Sequence, residues 1–97
     1  MFHIYILASI NRVLYVGSTD DLPRRVHEHK KGRANAFTTR YRVNRLVYYE
    51  PAESRVTAVR RELEIKAWRR EKKIALIESA NPDWWLRELE PPAQIPR

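Results

Sequence analysis

The chain has no cysteine, only two glycines and no long apolar run among its 97 residues. Without cysteine it can form no disulfide, no thiolate zinc site and no cysteine nucleophile. No apolar stretch approaches the roughly 20 residues that a membrane-spanning helix needs. The N-terminal segment lacks the basic start of a secretion signal, so we expect a cytoplasmic protein with no membrane partner.

Acidic residues are fewer than basic ones. The chain has 12 Asp and Glu and 19 Lys and Arg, which give a formal net charge of +7. A surplus of this size favours a polyanionic partner, with nucleic acid first. A soluble domain whose cationic surface has no specific partner explains the charge equally well. The apolar fraction of 43% is ordinary for a globular protein, and the length predicts one domain with a single core.

The order of the short apolar runs predicts a small α/β (α+β) domain. Strands are expected over residues 2–8, 13–17 and 45–50, the first two as an antiparallel hairpin, with Pro51 stopping the third. Helices are expected over residues 23–31, 54–72 and 73–78, with a short helical turn over 37–41. We therefore predict a three-stranded antiparallel sheet flanked by helices in residues 1–88. A Pro-rich tail, 89–97, follows and is expected to be frayed.

The long predicted helix carries an apolar stripe at helical spacing that is expected to face the core. The members of this stripe are Val56, Val59, Leu63 and Ala67. Glu62 lies closer to it than Glu64 does, and a carboxylate there needs a partner, either a hard cation such as Mg²⁺ or a basic side chain. On spacing alone, a salt bridge to Lys66 is the simpler explanation.

Two pairs of polar side chains stand beside apolar residues. Arg25 and His29 are four residues apart on one face of the first predicted helix, where a guanidinium would suit a phosphate. A solvated arginine and an exposed histidine are the simpler explanation of that pair. Tyr5 and Tyr15 share one face of the predicted hairpin by parity. Ordinary core tyrosines explain the second pair as well.

These residues together, in this order, resemble one known family of nucleases. Tyr5, Tyr15-Val16-Gly17, Arg25, His29 and Glu62 are similar to the motifs of the GIY-YIG nuclease superfamily, which includes the nuclease domain of UvrC-type repair excinucleases. The resemblance covers residues 2–86 and is strongest to the small stand-alone bacterial members. His3 departs from the usual Gly of the first motif. The chain also has no room for the separate DNA-reading domain that many relatives carry.

The resemblance implies a role for each residue. Tyr15 would be the general base that activates a water, and Tyr5 would hydrogen-bond within the site. Arg25 would steady the scissile phosphate, with His29 assisting. Glu62 would hold a divalent metal ion, Mg²⁺ or Mn²⁺.

The implied function is a metal-dependent DNA endonuclease that hydrolyses phosphodiester bonds, in DNA repair or in the processing of damaged or branched DNA. In such an enzyme, Gly17 would keep the backbone close-packed beside the tyrosines. The competing interpretation is a non-catalytic nucleic-acid-binding module that retains the fold. DNA is the expected partner, RNA is an alternative, and a monomer is the expected state.

Basic residues outside these motifs cluster after the first predicted helix and along the long one. Phosphate contacts give affinity without sequence information, and no sequence-reading element is recognisable. We therefore expect salt-sensitive binding that prefers nucleic-acid structure over sequence. The expected nucleic-acid contacts are Lys30, Lys31, Arg33, Arg40, Arg61 and Lys66.

Overall fold

The computed structural model describes residues 1–93. Three strands, β1 (Phe2–Ala8), β2 (Leu14–Thr19) and β3 (Arg45–Ala52), form an antiparallel sheet in the order β2-β1-β3. Within the same range lie four helices: α1 (Leu22–Lys30), α2 (Ala36–Tyr41), α3 (Arg55–Lys66) and α4 (Arg70–Ala80). The predicted fold class is therefore confirmed. Among these helices, none is long and apolar enough to cross a membrane.

The central strand β1 divides the core into two halves because its side chains alternate between the two faces of the sheet. Ile4 and Ile6 point into a cluster that α3 and α4 close, together with the buried Trp84. Tyr5 and Leu7 point to the other face, into a cluster that α1 closes. Leu7 pairs with Tyr15 on β2, so the two tyrosines share this second face, as their parity predicts.

The third strand does not stop at Pro51. It continues to Ala52, with Pro51 paired to His3 of β1. The expectation of a stop was wrong because β3 lies at an edge of the sheet, where a residue without an N–H loses no ladder hydrogen bond that a neighbouring strand needs. β2 also differs slightly from the expectation, beginning at Leu14 and continuing to Thr19.

The long predicted helix is two helices. α3 ends at Lys66 rather than at residue 72, and α4 covers Arg70–Ala80 rather than 73–78. The chain turns at residues 67–69, where the partly buried Trp68 packs against the core. No proline or glycine stands at this turn, so packing of Trp68, and not a helix-breaking residue, accounts for it.

The predicted apolar stripe of α3 faces solvent. Val56, Val59 and Leu63 are 66%, 42% and 60% exposed, whereas Ala58 and Ile65 are buried. Ala58 and Ile65 are seven residues apart and so also share a helix face, and it is this face that packs on the sheet. Because Glu62 lies between them along the helix, its side chain is only 17% exposed.

The ends of the helices follow local capping chemistry. Asp21 caps α1 by accepting a hydrogen bond from the N–H of Arg24, and Ser54 caps α3 by accepting one from Thr57. After the last helix, the N–H of Leu89 donates to the carbonyl of Leu46 at 2.7 Å. Residues 94–97 of the expected tail lie outside the described part of the chain.

Candidate active site

The Tyr5 ring lies directly over the backbone of Gly17, its pairing partner on β2. A Cβ atom at position 17 would lie 2.6 Å from both Cζ and the hydroxyl oxygen of Tyr5, and 3.1 Å from Cε2 of Tyr15. Only a glycine leaves the two rings room at this point of the sheet. This is the close packing that the resemblance implies for Gly17.

A chain of hydrogen bonds runs from Tyr5 into α2. The Tyr5 hydroxyl lies 3.1 Å from Nε2 of His29, and Nδ1 of His29 lies 3.1 Å from Oγ1 of Thr38. The Thr38 hydroxyl can donate to Oδ1 of Asn35, 3.1 Å away, and its oxygen can then accept the Nδ1 proton of His29. In that arrangement Nε2 is unprotonated and accepts the hydrogen bond that the Tyr5 hydroxyl donates.

Burial keeps both partners of this bond neutral. His29 is 3% exposed and Tyr5 is 1% exposed. Burial, reinforced by the nearby Arg25 guanidinium, lowers the pKa of His29 to about 4. Burial likewise raises the pKa of Tyr5 to about 12, although Arg25 partly opposes that rise. An exposed histidine was the simpler explanation of the sequence pattern, and it is wrong, because this imidazole lies in the core.

We expect the neutral state of His29 to make stability depend on pH. The unfolded chain protonates this imidazole near pH 6.5 and the folded chain only near pH 4. Its stabilising contribution is therefore fully present above pH 6.5 and is lost as the pH falls toward 4. The loss amounts to about 2 kcal/mol of unfolding free energy at pH 5.

The measurement is urea unfolding at pH 7.5 and pH 5 for the wild type, His29→Gln and His27→Gln. His27 is an exposed histidine of the same helix, so its substitution should keep the wild-type pH dependence. The pKa of the buried His3 is also lowered by burial, and its effect is common to all three proteins. An unchanged pH dependence in His29→Gln would contradict the assignment.

Glu62 lies on α3 and is not part of the hydrogen-bond chain from Tyr5 to Asn35. Its Oε1 accepts a hydrogen bond from the Ser18 hydroxyl at 2.5 Å, and its Oε2 accepts one from Nζ of Lys66 at 2.6 Å. The salt bridge expected from the spacing is thus present. The same ammonium group lies 5.8 Å from the centroid of the Tyr15 ring, so Lys66 links the carboxylate to the tyrosines.

Tyr15 is the point at which these contacts meet. Its ring centroid lies 6.3 Å from that of Tyr5 and 5.5 Å from that of His29. Unlike Tyr5, it is only partly buried. Tyr15 is therefore partly accessible to solvent, whereas Tyr5 is not.

Arg25 lines an open cleft of about 260 Å³ that lies between β2, α1 and α3. Its side chain is 31% exposed, and Nη1 donates to Oε1 of Glu28 at 3.1 Å. Ser18, which holds Glu62, lines the same cleft. Arg25 lies close enough to Tyr5 to influence its pKa. The other residues singled out from the sequence are linked through the contacts described above, namely Tyr5, Tyr15, His29 and Glu62.

The basic residues expected to contact nucleic acid have different surroundings. Lys30 is paired with Glu88, and Arg61 donates to Glu50 at 2.9 Å and is also paired with Glu64. These two would have to leave carboxylate partners to meet a phosphate. The side chains of Lys31, Arg33 and Arg40 are exposed.

The site contains two residues that the sequence did not identify as members of it, Ser18 and Thr38. Ser18 holds Glu62, and Thr38 holds His29. Ser18 directly follows Gly17, so its position next to the second motif was a usable signal. Thr38 offers no such signal, because its role depends on where α2 packs.

The oxygen donors at Glu62 and Ser18 fit a metal ion whose remaining ligands come from water and from the substrate phosphate. Within residues 1–93, no group of three or more His, Asp or Glu side chains is positioned to hold a metal. Mg²⁺ keeps several waters and is commonly bound by one or two carboxylates together with substrate phosphates. The Glu62 carboxylate and the Ser18 hydroxyl offer the hard oxygen donors that such an ion prefers.

Comparison with known proteins identifies the class. The family model described as the GIY-YIG catalytic domain matches residues 1–75. The chain therefore belongs to the GIY-YIG family, as the motif order predicts, and has the fold of a nuclease-type domain.

Within that family, the chain is similar to UPF0213 proteins. It is 40% identical over 76 residues to one from Haloquadratum walsbyi, covering 78% of this chain and 85% of that protein. It is 38% identical over 74 residues to one from Staphylococcus aureus, covering 76% and 90%. The solution NMR structure of a UPF0213 protein from Bacillus halodurans matches with a TM-score of 0.56 at 30% identity, covering 88% of this chain and 92% of that one.

Proposed function

We propose that this protein is an endonuclease that hydrolyses phosphodiester bonds of DNA with the help of Mg²⁺ or Mn²⁺. The observation that carries the proposal is that five side chains lie in one connected set of contacts, with Arg25 at an open cleft. The five are Tyr5, Tyr15, Arg25, His29 and Glu62. Each of these side chains has an ordinary structural explanation by itself. Their convergence supplies a phosphate ligand, a carboxylate and a phenol within one small region.

Arg25 is the residue we assign to the scissile phosphate. Its guanidinium is partly exposed at the cleft and is oriented by Glu28. A planar guanidinium can donate two parallel hydrogen bonds to phosphate oxygens, and its positive charge opposes the negative charge that grows there in the transition state. Arg25 would thus both orient the phosphate and lower the barrier to hydrolysis.

Tyr15 is the residue we assign to the attacking water. Tyr5 is poorly suited to that task, since its pKa is raised to about 12 and its hydroxyl is engaged by His29. Tyr15 is the more exposed of the two phenols and could accept a proton from water as a general base. His29 and Tyr5 would then serve to hold the Tyr15 ring in place.

Glu62 is the residue we assign to the metal ion. A bound Mg²⁺ or Mn²⁺ would neutralise charge on the phosphoryl oxygens and orient the phosphate. Ser18 would keep the carboxylate aimed at the cleft. Lys66, which neutralises Glu62 in the absence of metal, would become available to a backbone phosphate of the DNA.

The competing function is a nucleic-acid-binding module of the same fold without catalysis. The observation that favours it is the Glu62–Lys66 salt bridge, which satisfies the carboxylate without a metal. The two functions differ in whether the bound nucleic acid is cut. Repair or processing of damaged or branched DNA is the setting we propose for the nuclease.

The experiment follows the nicking of supercoiled plasmid with Mg²⁺, with Mn²⁺ and with EDTA. We expect nicking with either metal and none in EDTA. Arg25→Ala should slow it by about 100-fold, because one charge-stabilising donor is lost. RNA offered beside DNA under the same conditions tests the preference between them.

Arg69→Ala is the matched control. The substitution removes the same charge, but the Arg69 side chain is 88% exposed and does not line the cleft. We expect its nicking rate to stay within about threefold of wild type, because an exposed charge contributes little to a transition state. Absence of metal-dependent cutting of either nucleic acid would favour the binding module, and nicking that survives Arg25→Ala unchanged would reject the assigned site.

A further inference from the structure

Two exposed aromatic rings extend the candidate site outward along α2. The Phe37 ring centroid lies 6.3 Å from that of Tyr15 with an interplanar angle of 31°, and the Tyr41 centroid lies 5.0 Å from that of Phe37. Phe37 is 44% exposed and Tyr41 is 45% exposed. The aromatic contacts therefore run without a break from the buried Tyr5 to the protein surface.

These rings stand on a firmly held helix. Thr38, between them in sequence, is buried and hydrogen-bonded to His29. At the start of α2, Asn35 accepts a hydrogen bond from the N–H of Thr38, and after its end the N–H of Val43 donates to the carbonyl of Thr38. The positions of Phe37 and Tyr41 are thus fixed relative to Tyr15 by the same contacts that position His29.

The charge around the two rings indicates what they bind. Residues 30–42 contain five Lys or Arg and no Asp or Glu, and the Arg40 guanidinium lies 5.4 Å from the centroid of the Tyr41 ring. A second copy of this basic surface would be repelled, whereas a polyanion would be attracted. Rings interleaved with basic side chains are the combination that stacks bases while neutralising the nucleic-acid backbone.

We propose that Phe37 and Tyr41 form a stacking platform for unpaired bases of a nucleic-acid strand whose backbone reaches the candidate site at Tyr15. In a duplex, the base faces are already stacked on one another, so a protein ring reaches them only where bases are unpaired. The platform would therefore select single-stranded or locally opened DNA. The location of the cut strand rests on the proposed nuclease function; the stacking itself does not.

The test is equilibrium binding in EDTA, where no metal-dependent cutting occurs. A short single-stranded DNA with 2-aminopurine is compared with the duplex of the same sequence at one salt concentration. We expect wild type to prefer the single strand by about tenfold and to quench the 2-aminopurine fluorescence. Phe37→Leu and Tyr41→Leu, which keep apolar volume but remove a ring, should each bring the preference below about threefold and reduce the quenching.

Two further variants make the result specific. Phe37→Tyr keeps a ring and should keep the preference. Trp85→Leu removes a ring that is equally exposed, at 46%, but that contacts Arg12 rather than the site, and it should also keep the preference. Unchanged preference in both leucine variants on α2, or an equal loss in Trp85→Leu, would overturn the platform.

This outcome is separable from that of the nuclease proposal. If the preference for single strands depends on the two rings but plasmid is not nicked with any metal, the platform stands and the nuclease proposal fails. If plasmid is nicked and the rings do not affect the preference, the nuclease proposal stands and the platform fails. Thermal unfolding of each variant verifies that the lost preference does not reflect lost folding.

Discussion

Glu62→Gln is expected to slow metal-dependent nicking by about 1,000-fold or more. The substituted amide can still accept a hydrogen bond from Ser18, so the local shape is retained. It carries no negative charge, however, and is a poor ligand for a hard divalent cation. The loss should therefore affect the step that needs metal and leave the fold in place, since the salt bridge to the partly exposed Lys66 contributes only about 1 kcal/mol or less.

Glu64→Gln is the matched control for this prediction. Glu64 lies on the same helix and is also ion-paired, in its case to Arg61, but its side chain is 53% exposed. We expect its nicking rate to remain within about threefold of wild type. The measurement is the initial nicking rate over a series of Mn²⁺ concentrations, with thermal unfolding as the test of folding. Equal rates in the two glutamine variants would mean that Glu62 does not bind the metal.

Gly17→Ala is expected to lower the unfolding free energy by about 3 kcal/mol, the upper end of the usual cost of overpacking. The added Cβ would lie 2.6 Å from two atoms of the Tyr5 ring, well inside contact distance. Tyr5 cannot move aside freely, because it is buried in the core and hydrogen-bonded to His29. A displaced Tyr5 would also lose that hydrogen bond, so nicking should fall together with stability.

The other glycine of the chain provides the comparison. A Cβ at Gly32 would meet Thr39 Cγ2 at 3.6 Å, an ordinary contact, but the backbone there has a φ of +69°. Gly32→Ala should therefore cost about 1–2 kcal/mol through backbone strain alone. Urea unfolding measures both variants. A smaller loss in Gly17→Ala than in Gly32→Ala would show that the sheet accommodates the methyl group by a shift.

The hairpin and its tyrosines could be predicted from the sequence because strand periodicity is strict. The run of β-branched and aromatic residues gives β1 its observed bounds, and parity alone puts Tyr5 and Tyr15 on one face. A strand has only two faces, so one apolar alternation decides between them. The family and its fold then followed from the order of the motifs.

The orientation of α3 could not be predicted in the same way. Val56, Val59 and Leu63 form the clearer apolar stripe, but the helix buries the face of Ala58 and Ile65. Glu62 lies between those two residues on the helix. Its charge makes this face look like the solvent-exposed face when only the sequence is considered. A helix with two partly apolar faces is oriented by the surface it packs against, and one sequence does not reveal that surface.

The role of Thr38 and the end of α3 at Lys66 could not be predicted from the sequence for a related reason. Thr38 is an ordinary residue of a short helix until His29 packs against it. The turn after α3 has no glycine or proline, and only the burial of Trp68 explains it. Both features depend on contacts between segments that are distant in the sequence, and the residue pattern within one segment does not predict such contacts.

The two hydrogen bonds that frame the site connect distant parts of the chain. Tyr5 and His29 are 24 residues apart, and Ser18 and Glu62 are 44 apart. Closing such loops has an entropic cost that must be met before the contacts can form. During synthesis, a nascent chain that has not yet reached α3 lacks Glu62, the carboxylate that we propose as the metal ligand. Any competence to cut DNA would consequently arise only when the whole domain folds, and a partly made or locally unfolded chain would be harmless to the genome.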